Sequence, residues 1–260
     1  MRVAIFSDVH GNLTAMEAVL ADIEKQAPDF TYFAGDLCLF GARPGATLTL
    51  LREYQHILPV YGNTDEWLWQ LPEVTPDMDE KKKAHAQYLQ DTVAWAKSQM
   101  GDEDVEWLES IPFAHRLSPS TNRKDDLLVC HANPQDVNAP IFPTAEEQER
   151  RVGEVRNKQE DGEIRPLIQN TNVGIIAFGH VHFPNVRQMD DITLANISAT
   201  SLPQDGDTRA RYGLLTWNKA NGWQVERHHV TYDIGIEQAE LAKSQPPNWE
   251  QLSRLLEGKF

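Results

Sequence analysis

Five short polar clusters constrain this chain more than any other feature, because each falls just after a stretch that reads as a β-strand. They are Asp8-x-His10, Gly35-Asp36, Gly62-Asn63-Thr64-Asp65, Cys130-His131 and Gly179-His180-Val181-His182. The preceding strands are short apolar runs at 2–7, 30–34, 57–61, 127–130 and 174–178. Helical patterns separate the first three. Leu13, Met16, Val19, Leu20 and Ile23 recur at three- and four-residue spacing up to Gln26, and a second helix is expected from Ala46 to Tyr54. Strands alternating with helices build a parallel sheet with crossover connections. Ligands bind such sheets outside the carboxyl ends of the strands, so the five clusters are expected to converge on one crevice.

The residue types in that crevice are those of metal ligands: Asp8, Asp36, His10, His131, His180, His182 and Asn63. Imidazole and carboxylate together suit Mn, Fe, Zn or Ni better than the all-oxygen sites of Mg or Ca. This set is too large for one four-coordinate ion and suits two ions that share a carboxylate. Gly35, Gly62 and Gly179 are expected to let the backbone turn sharply and bring the next side chain close.

The rest of the chain is organised around this pattern. From about 66 to 112 the sequence is acidic, carries Trp67, Trp69, Trp95 and Trp107, and reads as a helical insertion. A charged helix is expected from Ala145 to Glu160 and a strand from Thr193 to Ile197. Tyr212–Trp217 and Trp223–Tyr232 alternate around Asn221-Gly222, a strong hairpin signal. Pro246-Pro247 precedes a short terminal helix at about 248–257. Its stripe of Trp249, Leu252, Leu255 and Leu256 either caps the fold or forms a contact in a homo-oligomer. The length of 260 residues suits a single α/β domain spanning 1–260 with an insertion.

Lys and Arg total 24 against 39 Asp and Glu, a net charge of −15. That balance excludes a protein that wraps long nucleic acid, which needs a basic groove. Small phosphate substrates stay open, because metal ions invert the local field. No apolar run approaches the ~18 residues of a membrane span. Two cysteines, Cys38 and Cys130, suit a reducing compartment rather than a disulfide framework. The expectation is a cytoplasmic protein with no membrane partner.

The ordered set resembles the calcineurin-like metallophosphoesterases, whose motifs run Asp-x-His, Gly-Asp, Gly-Asn-His-Asp/Glu, a lone His and Gly-His-x-His. The match runs from residue 8 to residue 182. The stretch from Asn196 to Tyr212 and Phe40-Gly41-Ala42-Arg43-Pro44 are similar to the small bacterial and archaeal phosphodiesterase branch. The resemblance implies a four-layer α-β-β-α sandwich. It also implies that Asp8, His10, Asp36 and His182 hold one divalent ion and that Asp36, Asn63, His131 and His180 hold the other. Manganese is the foremost candidate, with iron, zinc or nickel as alternatives. Two ions ~3.5–4 Å apart polarise phosphoryl oxygens and acidify a shared water for in-line attack. Asp65 is expected among the catalytic residues, either orienting a ligand or capping a helix.

Two departures stand out. Thr64 occupies the place of the histidine that protonates the leaving group in much of the superfamily, and the phosphodiesterase branch lacks that histidine too. Asn196-Ile197-Ser198-Ala199 stands where the branch reads Asn-Pro-Gly-Ser.

The expected function is a dinuclear metal-dependent phosphodiesterase acting on small phosphate esters or nucleotides. A dinucleoside polyphosphate hydrolase or a serine/threonine protein phosphatase would use the same site. A non-catalytic scaffold, as one retromer subunit with this fold is, predicts eroded ligands, whereas every ligand position here is filled. Arg43 and Arg211 suit salt bridges better than a substrate phosphate. His56, His85, His115, His228 and His229 suit ordinary surface or core roles, and the insertion tryptophans suit helix packing, with Trp67 the one candidate for stacking on a base.

Overall fold

The computed structural model describes residues 1–258 except 73, 76 and 77. β1 (Arg2–Phe6) lies between two cores, and its period-2 alternation decides which residue enters which. Val3 and Ile5 face a second sheet, while Ala4 and Phe6 face helices. β1 pairs in parallel with β2 (Phe30–Ala34), which pairs in parallel with β3 (Ile57–Val60). On its other side β1 meets β9 (Ala210–Asn218) antiparallel, and β9 forms a hairpin with β10 (Gly222–Val230), as Asn221-Gly222 predicts. The order of this sheet is β10-β9-β1-β2-β3.

The second sheet contains β4 (Ala114–Leu117), β5 (Leu127–Cys130), β6 (Ile175–Phe178), β7 (Asn185–Met189) and β8 (Ile192–Asn196), in the order β4-β5-β6-β8-β7. The two sheets pack face to face. Val3, Ile5, Tyr32, Ala34 and Val60 meet Leu127, Val129, Ile175 and Ala177, all essentially sealed from solvent. Each aliphatic side chain buried this way contributes about 1.5–3 kcal/mol.

Helices cover both outer faces, giving the expected α-β-β-α order. Over the first sheet lie α1 (Leu13–Gln26) and α2 (Pro44–Glu53), joined by residues of α4 (Glu80–Ser98) and α5 (Asp102–Glu109). The Asn12 side chain caps α1 by accepting a hydrogen bond from the Ala15 N–H at 2.9 Å. Over the second sheet, Ile164 and Ile168 of α7 (Asp161–Ile168) pack on Ile176 and Phe178. The segment between β3 and β4 is helical, opening with the short α3 (Asn63–Glu66). Its tryptophans pack on the first-sheet core.

Several details differ from the sequence expectation. The charged helix does not reach Glu160. It ends as α6 (Ala145–Val152), because Gly153 turns left-handed at φ 77°, and an open loop runs on to α7. An additional helix, α8 (Ile234–Ser244), precedes α9 (Trp249–Leu256). Leu252 and Leu256 of α9 bury against Ala42, Leu202 and Leu241, so the terminal stripe caps its own chain. Among the described residues, no helix is long and apolar enough to cross a membrane.

Candidate metal centre

The carboxyl ends of β1, β2 and β3 in one sheet and of β5 and β6 in the other meet at one edge, and all five clusters lie there. Backbone hydrogen bonds stitch their loops together. Asp8 N–H donates to the Gly35 carbonyl at 2.9 Å, His10 N–H to the Asp36 carbonyl at 3.1 Å, and Gly179 N–H to the His131 carbonyl at 2.8 Å.

Asp8, His10, Asp36, His180 and His182 all carry positive φ, between 49° and 73°. Non-glycine residues held there cost of order 1–3 kcal/mol each and cluster at functional sites. Of Gly35, Gly62 and Gly179, only Gly35 turns through positive φ, at 87°. Gly62, at φ −105°, serves instead by close approach: a Cβ there would lie 2.1 Å from Asp36 Oδ1. Gly179 is likewise crowded by the Asp8 carboxylate, 2.5 Å from where a Cβ would sit.

The side chains form two adjoining groups. In the first, one ligand-type atom from each of Asp8, His10, Asp36 and His182 lies within 4.8 Å of all the others. His10 Nε2 sits 3.0 Å from His182 Nε2, with Asp36 Oδ2 at 3.7 Å from the former and Asp8 Oδ1 at 3.4 Å from the latter. In the second, His131 Nε2, His180 Nδ1 and Asn63 Oδ1 lie 2.9–3.2 Å from one another. Asp36 Oδ1 is 3.4 Å from His131 Nε2, so the two oxygens of Asp36 reach toward both groups.

The outer nitrogens fix the tautomers. His10 Nδ1 lies 3.0 Å from the Leu39 carbonyl, His131 Nδ1 2.8 Å from that of Ala34, and His182 Nδ1 2.7 Å from that of Leu202. Each carbonyl takes a proton from Nδ1, which in the neutral ring leaves the inward Nε2 free to bind a metal through its lone pair. These inward atoms face other ligand-type atoms across about 3 Å. That is the spacing of neighbouring ligands around an ion bound at ~2.0–2.1 Å from imidazole nitrogen.

Electrostatics point the same way. Burial, reinforced by His182, pushes the His10 pKa down to about 3, and burial with His131 does the same to His180. Both rings are neutral at physiological pH. Burial alone would raise the Asp8 carboxyl, but His182 overrides it and holds Asp8 well below the usual range. His182 is correspondingly raised by Asp8 despite burial. Asp36 lies above the usual range because burial outweighs the pull of His131. The donor types and their convergence fit divalent metal ions in both groups.

Asp65 does not join either group. Its carboxylate accepts hydrogen bonds from the N–H groups of Asp36 at 2.8 Å, Leu37 at 2.9 Å and Gly62 at 2.9 Å. It therefore positions the loop that carries Asp36. Ser7, Asn196 and Ser201 also support the loops. Ser7 Oγ donates to Asp8 at 2.6 Å, Asn196 Nδ2 to the Gly179 carbonyl at 2.7 Å, and Ser201 N–H to the Asp8 carbonyl at 2.9 Å. The sequence signals for this support are the adjacency of Ser7 to Asp8 and the place of Asn196 and Ser201 in the stretch similar to the phosphodiesterase branch.

Arg43 pairs with the buried Glu237, and Arg211 is itself buried against Asp205, so neither ion pair lies open on the surface. Trp67 meets the edge of the Phe40 ring at 6.4 Å, and His115 and His228 pack on Tyr32 and Tyr212.

Residues 1–220 match the family described as the calcineurin-like phosphoesterase superfamily domain. The chain belongs to that superfamily. It is a hydrolase of phosphoric esters, in a family that uses divalent metals. This phosphoesterase is 24% identical over 264 residues to an uncharacterised protein of Methanocaldococcus jannaschii, covering 95% of this chain and 94% of that one. A metallophosphoesterase of Sphaerobacter thermophilus shares the fold, with a TM-score of 0.70, 24% identity and 98% of each chain covered. A hypothetical protein of Pyrococcus horikoshii OT3 shares it too, with a TM-score of 0.73 at 14% identity, covering 100% of this phosphoesterase and 99% of its own chain.

Proposed function

We propose that this phosphoesterase is a dinuclear phosphodiesterase acting on small, singly charged phosphate esters. Asp8, His10, Asp36 and His182 would hold one divalent ion, and Asp36, Asn63, His131 and His180 the other, with manganese the foremost candidate. The observation that carries the assignment is the convergence of two adjoining ligand-type groups with the Asp36 carboxylate between them. Bound there, two ions would supply positive charge to the phosphoryl oxygens and lower the pKa of water.

The chain's own residues shape the rest. Asp65 holds the Asp36 loop in register, and the Thr64 N–H donates to Asp36 Oδ1 at 2.9 Å, fixing that carboxylate. The cavity beside His180 and His182 offers, among the described residues lining it, one guanidinium, Arg156, already bonded to Glu154 and the Gln204 carbonyl. A dianionic monoester or a polyphosphate calls for more positive charge than that, so a diester suits this wall better.

Hydrolysis of bis(p-nitrophenyl) phosphate and of p-nitrophenyl phosphate by metal-stripped protein, with and without Mn, tests this. Activity is expected to return with Mn and to favour the diester at least tenfold in kcat/KM. A monoester preference overturns the diesterase assignment, and inactivity of metal-loaded protein toward both overturns the catalytic one.

Thr64 has a kinetic consequence. Its side chain is buried and a hydroxyl is far too weak an acid to protonate a leaving alkoxide. General acid catalysis contributes ~10²–10⁴-fold, so a site without it should depend steeply on the leaving group. Across aryl methyl phosphodiesters, kcat/KM is expected to fall steeply as the pKa of the leaving phenol rises. A flat profile with chemistry rate-limiting would reveal another proton donor.

A further inference from the structure

A cavity of about 400 Å³ adjoins His180 and His182, and three loops supply much of its wall through residues that are not proposed ligands. They are the loop between β5 and α6 (Phe142), the loop between α6 and α7 (Arg156 and Asn157), and the loop between β8 and β9 (Gln204). We infer that this cavity is a nucleoside subsite, which takes the organic substituent of a nucleoside phosphodiester whose phosphate lies over the metal centre. The inference rests on the phosphodiesterase assignment above and names its substrate class.

The walls are built rather than loose. Gln148 is 3% exposed and spends its whole amide on the rim. Its Nε2 donates to the carbonyls of Pro143 at 2.9 Å and Asn157 at 2.6 Å, and its Oε1 accepts from the N–H groups of Arg156 at 3.0 Å and Asn157 at 3.1 Å. This ties the Phe142 side of the cavity to the Asn157 side. The Phe142 N–H is fixed in turn by Gln159 Oε1 at 2.9 Å. A cavity prepared in this way does not have to be ordered by its ligand, which saves binding free energy.

What the walls present is specific in kind. Phe142 offers a half-buried ring. Among the described residues, the side-chain amides of Asn157 and Gln204 have no hydrogen-bond partner, so each keeps a donor and an acceptor side by side. The one cation is spent on neighbours, as noted above. An aromatic face with paired donor-acceptor edges complements a nucleobase, which stacks through its plane and hydrogen-bonds through its rim. A lipid tail would leave the amides unsatisfied, and a second phosphate would find no uncommitted charge. The volume lies at the lower end of the ~300–1,000 Å³ typical of small-ligand pockets, enough for one nucleoside.

The test compares two esters with the same leaving group: p-nitrophenyl thymidine 5′-phosphate and methyl p-nitrophenyl phosphate, hydrolysed by the Mn-loaded protein. The expected kcat/KM ratio favours the nucleoside ester at least thirtyfold, chiefly through KM. Asn157→Ala combined with Gln204→Ala, and separately Phe142→Ala, should each cut that ratio about tenfold. The two amide side chains hold nothing else in place, so the double variant should fold normally. Equal turnover of the two esters, or a ratio that neither variant moves, overturns the subsite while leaving the phosphodiesterase assignment intact. If neither ester is hydrolysed, that assignment falls and calorimetry decides the cavity. Binding of thymidine 5′-monophosphate that the double variant loses supports the subsite, and absence of binding overturns it.

Discussion

Asp36→Asn is expected to lower diester hydrolysis at least ~10³-fold and to strip the protein of most of its metal. Among the described residues, Asp36 is the one carboxylate whose oxygens approach both imidazole groups, at 3.7 Å from His10 Nε2 and 3.4 Å from His131 Nε2. Asparagine keeps the shape but loses the charge, and it turns an N–H₂ donor toward one of the two groups. Removing an outer partner of a metal ligand already costs 10–100-fold in affinity or activity. Loss of a shared anionic ligand should exceed that at both positions together, and should remove most of the electrostatic stabilisation of the reacting phosphoryl group, itself worth ~10²–10³-fold per donor. Metal content after dialysis, measured beside diester kinetics, checks both arms. Full occupancy of both positions at near wild-type rates would show that Asp36 is not shared.

The second large effect is on stability. Asp65→Ala is expected to destabilise the metal-free protein by at least about 3 kcal/mol, because it orphans three buried N–H donors at about 1–3 kcal/mol each. Those donors, on Asp36, Leu37 and Gly62, belong to two different strand-end loops, so the side chain works as a cross-loop clamp. The clamp functions despite electrostatic opposition. Burial and the Asp36 charge raise the Asp65 pKa to about 6. Asp65→Asn keeps one acceptor oxygen and should lose roughly half as much. Urea denaturation of the two variants measures the difference. A loss below about 1 kcal/mol for the alanine variant would mean that the loops hold their register without the clamp.

How much of this was legible in the sequence depends on which signal each element leaves. Central strands such as β1 and β6 are sealed on both faces and read as continuous apolar runs. The polar residues that follow them stand out by contrast, which is why the clusters that converge at the sheet edge could be picked out residue by residue. β4 and β7 gave no such signal. Each is the edge of the second sheet, and Ala114–Leu117 and Asn185–Met189 are short, partly exposed and mixed in polarity. α8 hid for a different reason: its buried positions are Leu241 and the carboxylate of Glu237, so its apolar stripe is too thin to register. The role of Asp65 was ambiguous because a carboxylate three residues into a turn looks the same whether it faces an ion or a backbone. The rim around Phe142 and Asn157 was missed because the residues up to Glu160 were read as helix, and Gly153 ends that helix early.

The position of β1 between β2 and β9 bears on how the molecule is made. Asp8 and His10 are synthesised well before residues 210–218, yet their strand gains its second neighbour only when those residues have emerged. His180 and His182 arrive from the other sheet 172 residues after their partners Asp8 and His10. Contacts of such long sequence separation form late and slowly. A nascent or half-assembled chain therefore carries scattered donors but no chelating pocket, and uptake of a divalent ion during synthesis would mark the moment at which the two sheets dock.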